Sequence, residues 1–240
     1  MATIRIENKA NIEIDNNHLT RIVTEATLPP GELILVFNDA PLPDSNQGTC
    51  VPRALLSFSR SYATICRGQS ISNWDVCIAI SDRYCGLQAQ YPAYFTYLIG
   101  HELGHAKICL LDIALHIHYC LIQDHIKGAS HNEIAQWYEL PHERCFDRFG
   151  IYLCEKLYSR SQLNLEIKRL IANPDCKDHE RLHMMLSLDA SDVLDHLREE
   201  IIRFSLPFKS ALILSWKKER QHLGDNSLTS LIADYEALFE

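Results

Sequence analysis

Residues 97 to 111 read YLIGHELGHAKICLL and set His101, Glu102 and His105 in the order His-Glu-x-x-His. On an α-helix, residues four apart are offset by about 40° around the axis and one turn along it. Two imidazoles at that offset can aim at one metal ion. The carboxylate beside the first His then lies at the open coordination position, where it can take a proton from a water on the metal. This is the spacing that zinc-assisted hydrolysis needs, with His101 and His105 as ligands and Glu102 as general base. The pattern recurs in KDHERLHMML, at His179, Glu180 and His183. Context separates the two. The first lies in a long apolar stretch that can be buried beneath a cleft. The second opens just after Pro174 among Lys177, Asp178 and Arg181, and reads as an exposed first turn with a solvated face.

A catalytic zinc takes three protein ligands and a water. The metzincin extension needs a Gly three residues and a ligand six residues after the second His, where this chain has Ile108 and Leu111. Asp112 and His116 share the helical stripe of His105 but lie about 10 Å and 16 Å further along the axis. They cannot reach the same ion, so His116 and His118 read as packed or hydrogen-bonded histidines. The candidate comes downstream, in PHERCFDRFGIYL. Glu143 and Asp147 are four apart on one face of a helix that Pro141 opens. Glu143 can complete the ligand set, and Asp147 can accept the second ring N–H of a ligand His and fix its tautomer. His142 and Glu139 are nearby substitutes for the third ligand.

FTYLIGHELGHAKICL followed by ERCFDRFGIYL resembles the minimal gluzincin peptidases, and most of all the ImmA/IrrE-type metallopeptidases. Those run strand, His-Glu-x-x-His helix, then a helix with Glu-x-x-x-Asn/Asp-x-Phe-Ala. Here Glu143, Asp147, Phe149 and Gly150 stand at those positions. The resemblance covers roughly residues 75 to 160. It implies a zincin-like core, zinc on His101, His105 and Glu143, and an endopeptidase acting on a protein or peptide substrate. Two features depart from the pattern: the gap from His105 to Glu143 is long, and the C-terminal region carries no legible helix-turn-helix.

The elements that must position these residues are of two kinds. ELILVFND and DVCIAISD read as buried strands, rich in branched and aromatic residues. DVCIAIS is suited to the edge of a substrate cleft, where an extended peptide could pair with it. TIRIENKANIEID alternates around an Asn-Lys-Ala-Asn turn and reads as a hairpin. HLTRIVTEAT is a helix stopped by Pro29, Pro30 and Gly31. APLPDSNQGTC is a loop. Helix is expected from about Pro92 to Ile126, again from Pro141, and nearly everywhere after Ser161. There Val193, Leu194, Leu197, Ile201 and Ile202 make one apolar stripe, and Leu228, Leu231, Ile232, Tyr235 and Leu238 another. The fold class is α+β. A zincin-like domain is expected over residues 1–160, and a helical C-terminal region over 161–240.

Composition bounds the partners. The chain has 240 residues, 47% hydrophobic and 22% charged, enough for an ample core. Net charge is -8 without a long basic run. That argues against a nucleic-acid partner or an anionic membrane surface. Nine cysteines, an odd number at irregular spacing with no Cys-x-x-Cys pair, read as reduced thiols. The N-terminus has no apolar signal region, and ICLLDIALHIHYCLI is too short and too polar to span a bilayer. A cytoplasmic protein is expected, with signal-less secretion compatible. Two rival readings stand beside the zinc endopeptidase. One is a zinc-binding, non-proteolytic interaction module of the same fold. The other is a helical interaction protein in which the pattern arose by chance.

Overall fold

Two apolar runs, ELILVF and VCIAI, build the centre of a four-stranded sheet. The computed structural model describes residues 2–10, 12–38, 48–52, 74–128, 140–174, 176, 178–192, 197–214 and 237. The strands are β1 (Thr3–Asn8), β2 (Glu32–Phe37), β3 (Gly48–Pro52) and β4 (Val76–Ile80), in the order β1-β2-β4-β3. β1 and β4 run parallel to β2, and β3 is antiparallel to β4. Parallel strands covered on both faces need continuous apolar runs rather than alternation. β4 is buried throughout and β2 is buried beyond its first residue. Leu33, Leu35 and Phe37 pair with Val76, Ile78 and Ile80, and all six belong to the main core. Ile34, Val36, Val51, Cys77 and Trp74 form a smaller cluster on the opposite face.

Three sequence expectations change here. TIRIENKANIEID is no hairpin: its first half is β1, paired in parallel with β2. The Asn8 side chain closes the turn, accepting from Ala10 N at 3.0 Å and donating to Ile12 O at 3.0 Å. Asp15 then caps the next helix, accepting from Asn17 N and His18 N. The long apolar β2 is the better partner for β1, and the second half of the segment leads into a helix instead. Likewise DVCIAIS is not at an edge, because β4 is hydrogen-bonded on both sides. Among the described strands the edge beside it is β3, whose Gly48–Cys50 had been read as loop. The rest of that loop lies outside the described residues.

The helices are α1 (Asn16–Ala26), α2 (Asp82–Cys85), α3 (Leu87–Gln90), α4 (Pro92–Leu111), α5 (Ile113–Gly128), α6 (Pro141–Leu157), α7 (Arg160–Ile171), α8 (His179–Ser187) and α9 (Leu197–Ser205). α1 ends at Thr27, which takes a left-handed φ of 45° just before the prolines. α4 shows no amphipathic stripe and is buried at every residue from Ala93 to Ala106, its His and Glu side chains included. Its start is tied down by Glu166 of α7, whose Oε2 accepts from Tyr94 N at 2.8 Å. That satisfies one of the first-turn amides.

The chain divides into two units, residues 1–110 with 146–192, and residues 111–145 with 193–240. The first holds the sheet, α1 to α4, most of α6, and α7 and α8. α7 contributes Leu163 and Ile167 to the core, and α8 contributes Leu182 and Met185. Arg160 Nη2 donates to the carbonyls of Met185, Leu186 and Leu188, closing the C-terminal end of α8. The second unit holds α5, the first turn of α6 and α9. Asp112 breaks the long helix: its Oδ1 accepts from Leu115 N at 3.1 Å and so starts α5. A division near Ser161 therefore does not coincide with these units, since α7 and α8 bury their apolar faces in the first. Val193, Leu194 and the stripe from Leu228 to Leu238 lie outside the described residues. No helix among the described residues is long and apolar enough to cross a membrane.

Candidate metal centre

α4 presents His101 and His105 on one face, one turn apart, with each residue only 6% exposed. Their rings meet edge to face with centroids 5.0 Å apart, and the two Nε2 atoms are 3.2 Å apart. Two nitrogens held about 2.0–2.1 Å from a tetrahedral zinc would be about 3.3 Å from each other. The pair thus already has the separation of two ligands on one ion. Glu143 is 1% exposed. One ligand atom from each of His101, His105 and Glu143 lies within 4.8 Å of the others. The structure so brings together the three expected ligands as a buried group able to hold a metal ion.

Asp147 stands one turn after Glu143 on α6, fully buried. Its Oδ1 is 2.8 Å from His101 Nδ1. An ionised carboxylate only accepts, so Nδ1 carries the proton and Nε2 keeps its lone pair. That is the tautomer a metal needs, and the partner is the one expected. The same oxygen accepts from Tyr97 Oη at 2.5 Å and from Arg181 Nη2 at 2.8 Å. Burial alone would push the Asp147 carboxyl up. The Arg181 guanidinium, with the donors from His101 and Tyr97, reverses this and holds it below its ordinary value. Burial and then the Asp147 charge push the Tyr97 hydroxyl well up, although Arg181 pulls the other way. Tyr97 therefore stays a donor.

The helices that carry these groups touch backbone to backbone. A Cβ on Gly150 would lie 2.5 Å from Tyr97 O and 3.1 Å from His101 N, and one on Gly100 would lie 2.8 Å from Gly150 Cα. Gly104, inside the His-Glu-x-x-His pattern, faces Phe146, whose Cδ1 would be 3.0 Å from an added Cβ. The Phe146 ring in turn packs at 4.0 Å on His105 and at 6.0 Å edge-on to His101. Only helices that approach this closely can bring Asp147 to His101.

Within the second unit, Tyr119 Oη donates to Glu143 Oε1 at 2.7 Å. Its ring packs edge-on to His142 with centroids 4.2 Å apart. Glu143 lies in the first turn of α6, where the helix dipole favours a carboxylate. Glu102 is buried against β3, where a Cβ on Gly48 would lie 2.7 Å from its Oε1. A side chain at Gly48 would therefore have to displace the Glu102 carboxylate. Next along β3, Cys50 Sγ is 3.9 Å from Cys109 Sγ. Burial, then its neighbour Cys109, push the Cys50 thiol well above its ordinary value, so it is a packed neutral thiol.

The second His-Glu-x-x-His opens α8 with Glu180 and His183 exposed and His179 half-buried. No ligand group forms there among the described residues. Its middle residue does enter the site, however. Arg181 was read as part of a solvated face, and instead points at Asp147 with 11% of its side chain exposed. No local signal marks it. Tyr119 also went unnoticed, because its link to Glu143 spans the long gap. His118 donates through Nε2 to Ser205 Oγ, whose own proton goes to Ile202 O, and His116 contacts Cys120 Sγ at 3.6 Å. Both are held by hydrogen bonds, and neither belongs to the ligand group. Glu139 lies outside the described residues. No protein-family model, no curated protein and no solved structure matches the chain.

Proposed function

We propose that this protein is a zinc-dependent endopeptidase with a zincin-like core, and that His101, His105 and Glu143 hold the metal. The observation that carries this reading is the buried two-His, one-Glu group with the Asp147 carboxylate behind His101. Three protein ligands leave a coordination position open, which a structural site closes with a fourth. Glu102 follows His101 directly in sequence and would be superfluous in a purely structural site. Bound zinc would supply Lewis-acid polarisation of a peptide carbonyl and lower the pKa of a water. Glu102 takes the proton of the attacking water and returns it to the departing amine. His101 is held by Asp147 in the tautomer that keeps the Nε2 lone pair for the ion. Tyr119 orients the Glu143 carboxylate through its hydroxyl. An extended substrate would add to β3, the edge strand above Glu102, by main-chain hydrogen bonds.

Among the tyrosines and histidines that could stabilise an oxyanion, Tyr97 is engaged by Asp147, and His142 is buried against Tyr119. Tyr152 is half-buried, with Lys156 Nζ 5.2 Å from its ring centroid.

The test combines elemental analysis with digestion of a mixed peptide library. The wild type should carry about one zinc per chain, and Glu102→Gln should keep it. Cleavage by that variant should fall by about 10²- to 10⁴-fold, the usual contribution of general base catalysis. Absence of zinc under non-stripping conditions overturns the reading. Stoichiometric zinc with cleavage indifferent to Glu102 removes Glu102 as the base. Zinc with no cleavage at all leaves the zinc-binding interaction module.

A further inference from the structure

Helix α8 leaves His183 exposed and His179 half-buried, and its opposite face is fixed against the first unit. Leu182 and Met185 anchor it in the main core, and Arg160 holds the carbonyls at its end. Arg181, next to Leu182, is thereby carried to the back of the ligand group. Its Nη2 lies 2.8 Å from Asp147 Oδ1, 3.2 Å from Tyr97 Oη and 3.3 Å from His101 Nδ1. Because Nδ1 carries a proton, and guanidinium is a donor only, the last distance is a packing contact. The productive bonds are those to Asp147 and Tyr97.

We propose that Arg181 is a positioning residue of the metal site: its guanidinium fixes the Asp147 carboxylate where Oδ1 accepts from His101 Nδ1–H, and so aims Nε2 at the ligand group. The proposal rests on the metal reading above and adds to it a residue from outside the resembling segment. Three donors converge on one carboxylate oxygen, and two of them, from Tyr97 and His101, come from the helix that carries the two histidine ligands. Arg181 is the third, comes from a different helix, and is the charged one. A charge-assisted bond is shorter and stronger than a neutral one. It adds a charged restraint on the carboxylate to those of the imidazole and the Tyr97 hydroxyl. Partners one step behind a metal ligand change affinity by about 10- to 100-fold when removed.

The test is a double-mutant cycle on the full chain, read as Zn²⁺ affinity by competition with a chromophoric chelator. The absorption spectrum of the Co²⁺-loaded protein is recorded alongside. Arg181→Met should weaken Zn²⁺ binding by about 10- to 100-fold, and Arg181→Lys should restore part of it. On an Asp147→Asn background, Arg181→Met should cost no more than about twofold, because the group it acts through is already gone. A purely structural role predicts the same loss on both backgrounds, and that result overturns the proposal. So does wild-type affinity in Arg181→Met. Should Arg181→Met fail to fold around a lone buried carboxylate, Arg181→Lys carries the test on the same two backgrounds. A wild type that binds no Zn²⁺ fails the metal reading itself. Zinc binding indifferent to Arg181 fails this inference alone.

Discussion

His101 is oriented from behind by Asp147, His105 is backed by the Phe146 ring, and Glu143 is held by the Tyr119 hydroxyl. Each expected ligand thus has its own support, and ligands and supports have separable effects. His101→Ala and His105→Ala should abolish stoichiometric zinc, and Glu143→Ala should weaken it. His179→Ala should leave zinc unchanged, since the second motif gathers no ligand group among the described residues. Elemental analysis after gel filtration reads all four, and loss of zinc in His179→Ala would move the site. Tyr119→Phe removes one hydroxyl and should weaken zinc by about tenfold, the low end for such partners. At this scale much was legible in sequence. The spacing of His101, Glu102 and His105, and of Glu143 and Asp147, is helical, so side chains that share a face share it wherever the helix goes. Arg181 and Tyr119 were not legible. Their roles depend on where α8 and α5 come to rest, and nothing within a few residues of either encodes that.

At the scale of elements, the site depends on how closely α4 and α6 approach. Gly→Ala inside a helix ordinarily stabilises a protein by up to about 1 kcal/mol through the unfolded chain. At Gly150 the sign should reverse, although the resembling family has Ala there. An added Cβ would meet Tyr97 O and His101 N, both backbone atoms of a buried helix that cannot swing aside. Overpacking of this kind costs about 1–3 kcal/mol. Gly150→Ala should lower the urea midpoint and weaken zinc, as Asp147 moves back from His101. Gly86→Ala is the control: nothing lies within 4 Å of its Cβ position, and it should be neutral or stabilising. Equal midpoints for the two variants would refute the close crossing. β2, β4, α1, α4 and α6 were readable because apolar runs, a helical period and Pro141 mark them locally. β3 was not: GTCVP carries two turn-prone residues and becomes a strand only because β4 offers it an antiparallel partner. The hairpin misreading has the same origin, since alternation in TIRIENKANIEID cannot say which strand β1 will join.

Across the whole molecule, the two units are each discontinuous in sequence, and helix α6 contributes to both, with Glu143 in one and Asp147 in the other. A boundary sought from composition near Ser161 could not find this, because the chain leaves the first unit at Leu110 and returns at Phe146 without any linker-like stretch inside α6. Each unit also encloses a histidine that is neutral when folded. In the first, His18 accepts at Nδ1 from Gln88 and donates at Nε2 to Thr96, whose own proton goes to Pro92 O. Burial lowers its pKa, against the pull of Asp15. In the second, burial pushes His118 from 6.5 down to about 4. Above pH 6.5 both histidines are neutral whether folded or not, so stability does not depend on them. Below it the unfolded chain takes up protons that the folded chain refuses, and stability falls until the folded pKa is reached. For His118 that window runs from 6.5 to about 4 and amounts to about 3–4 kcal/mol, at about 1.4 kcal/mol per unit. His18 adds to the loss in the same direction. Urea unfolding of the chelator-treated protein should therefore weaken steeply between pH 7 and 4.5. His118→Gln, whose amide can still donate to Ser205 Oγ, should lose about 2–3 kcal/mol less over that range. Carboxylates that titrate near pH 4 affect both proteins alike and cancel in the difference. Parallel pH profiles for the two would show that His118 is not held neutral in the fold.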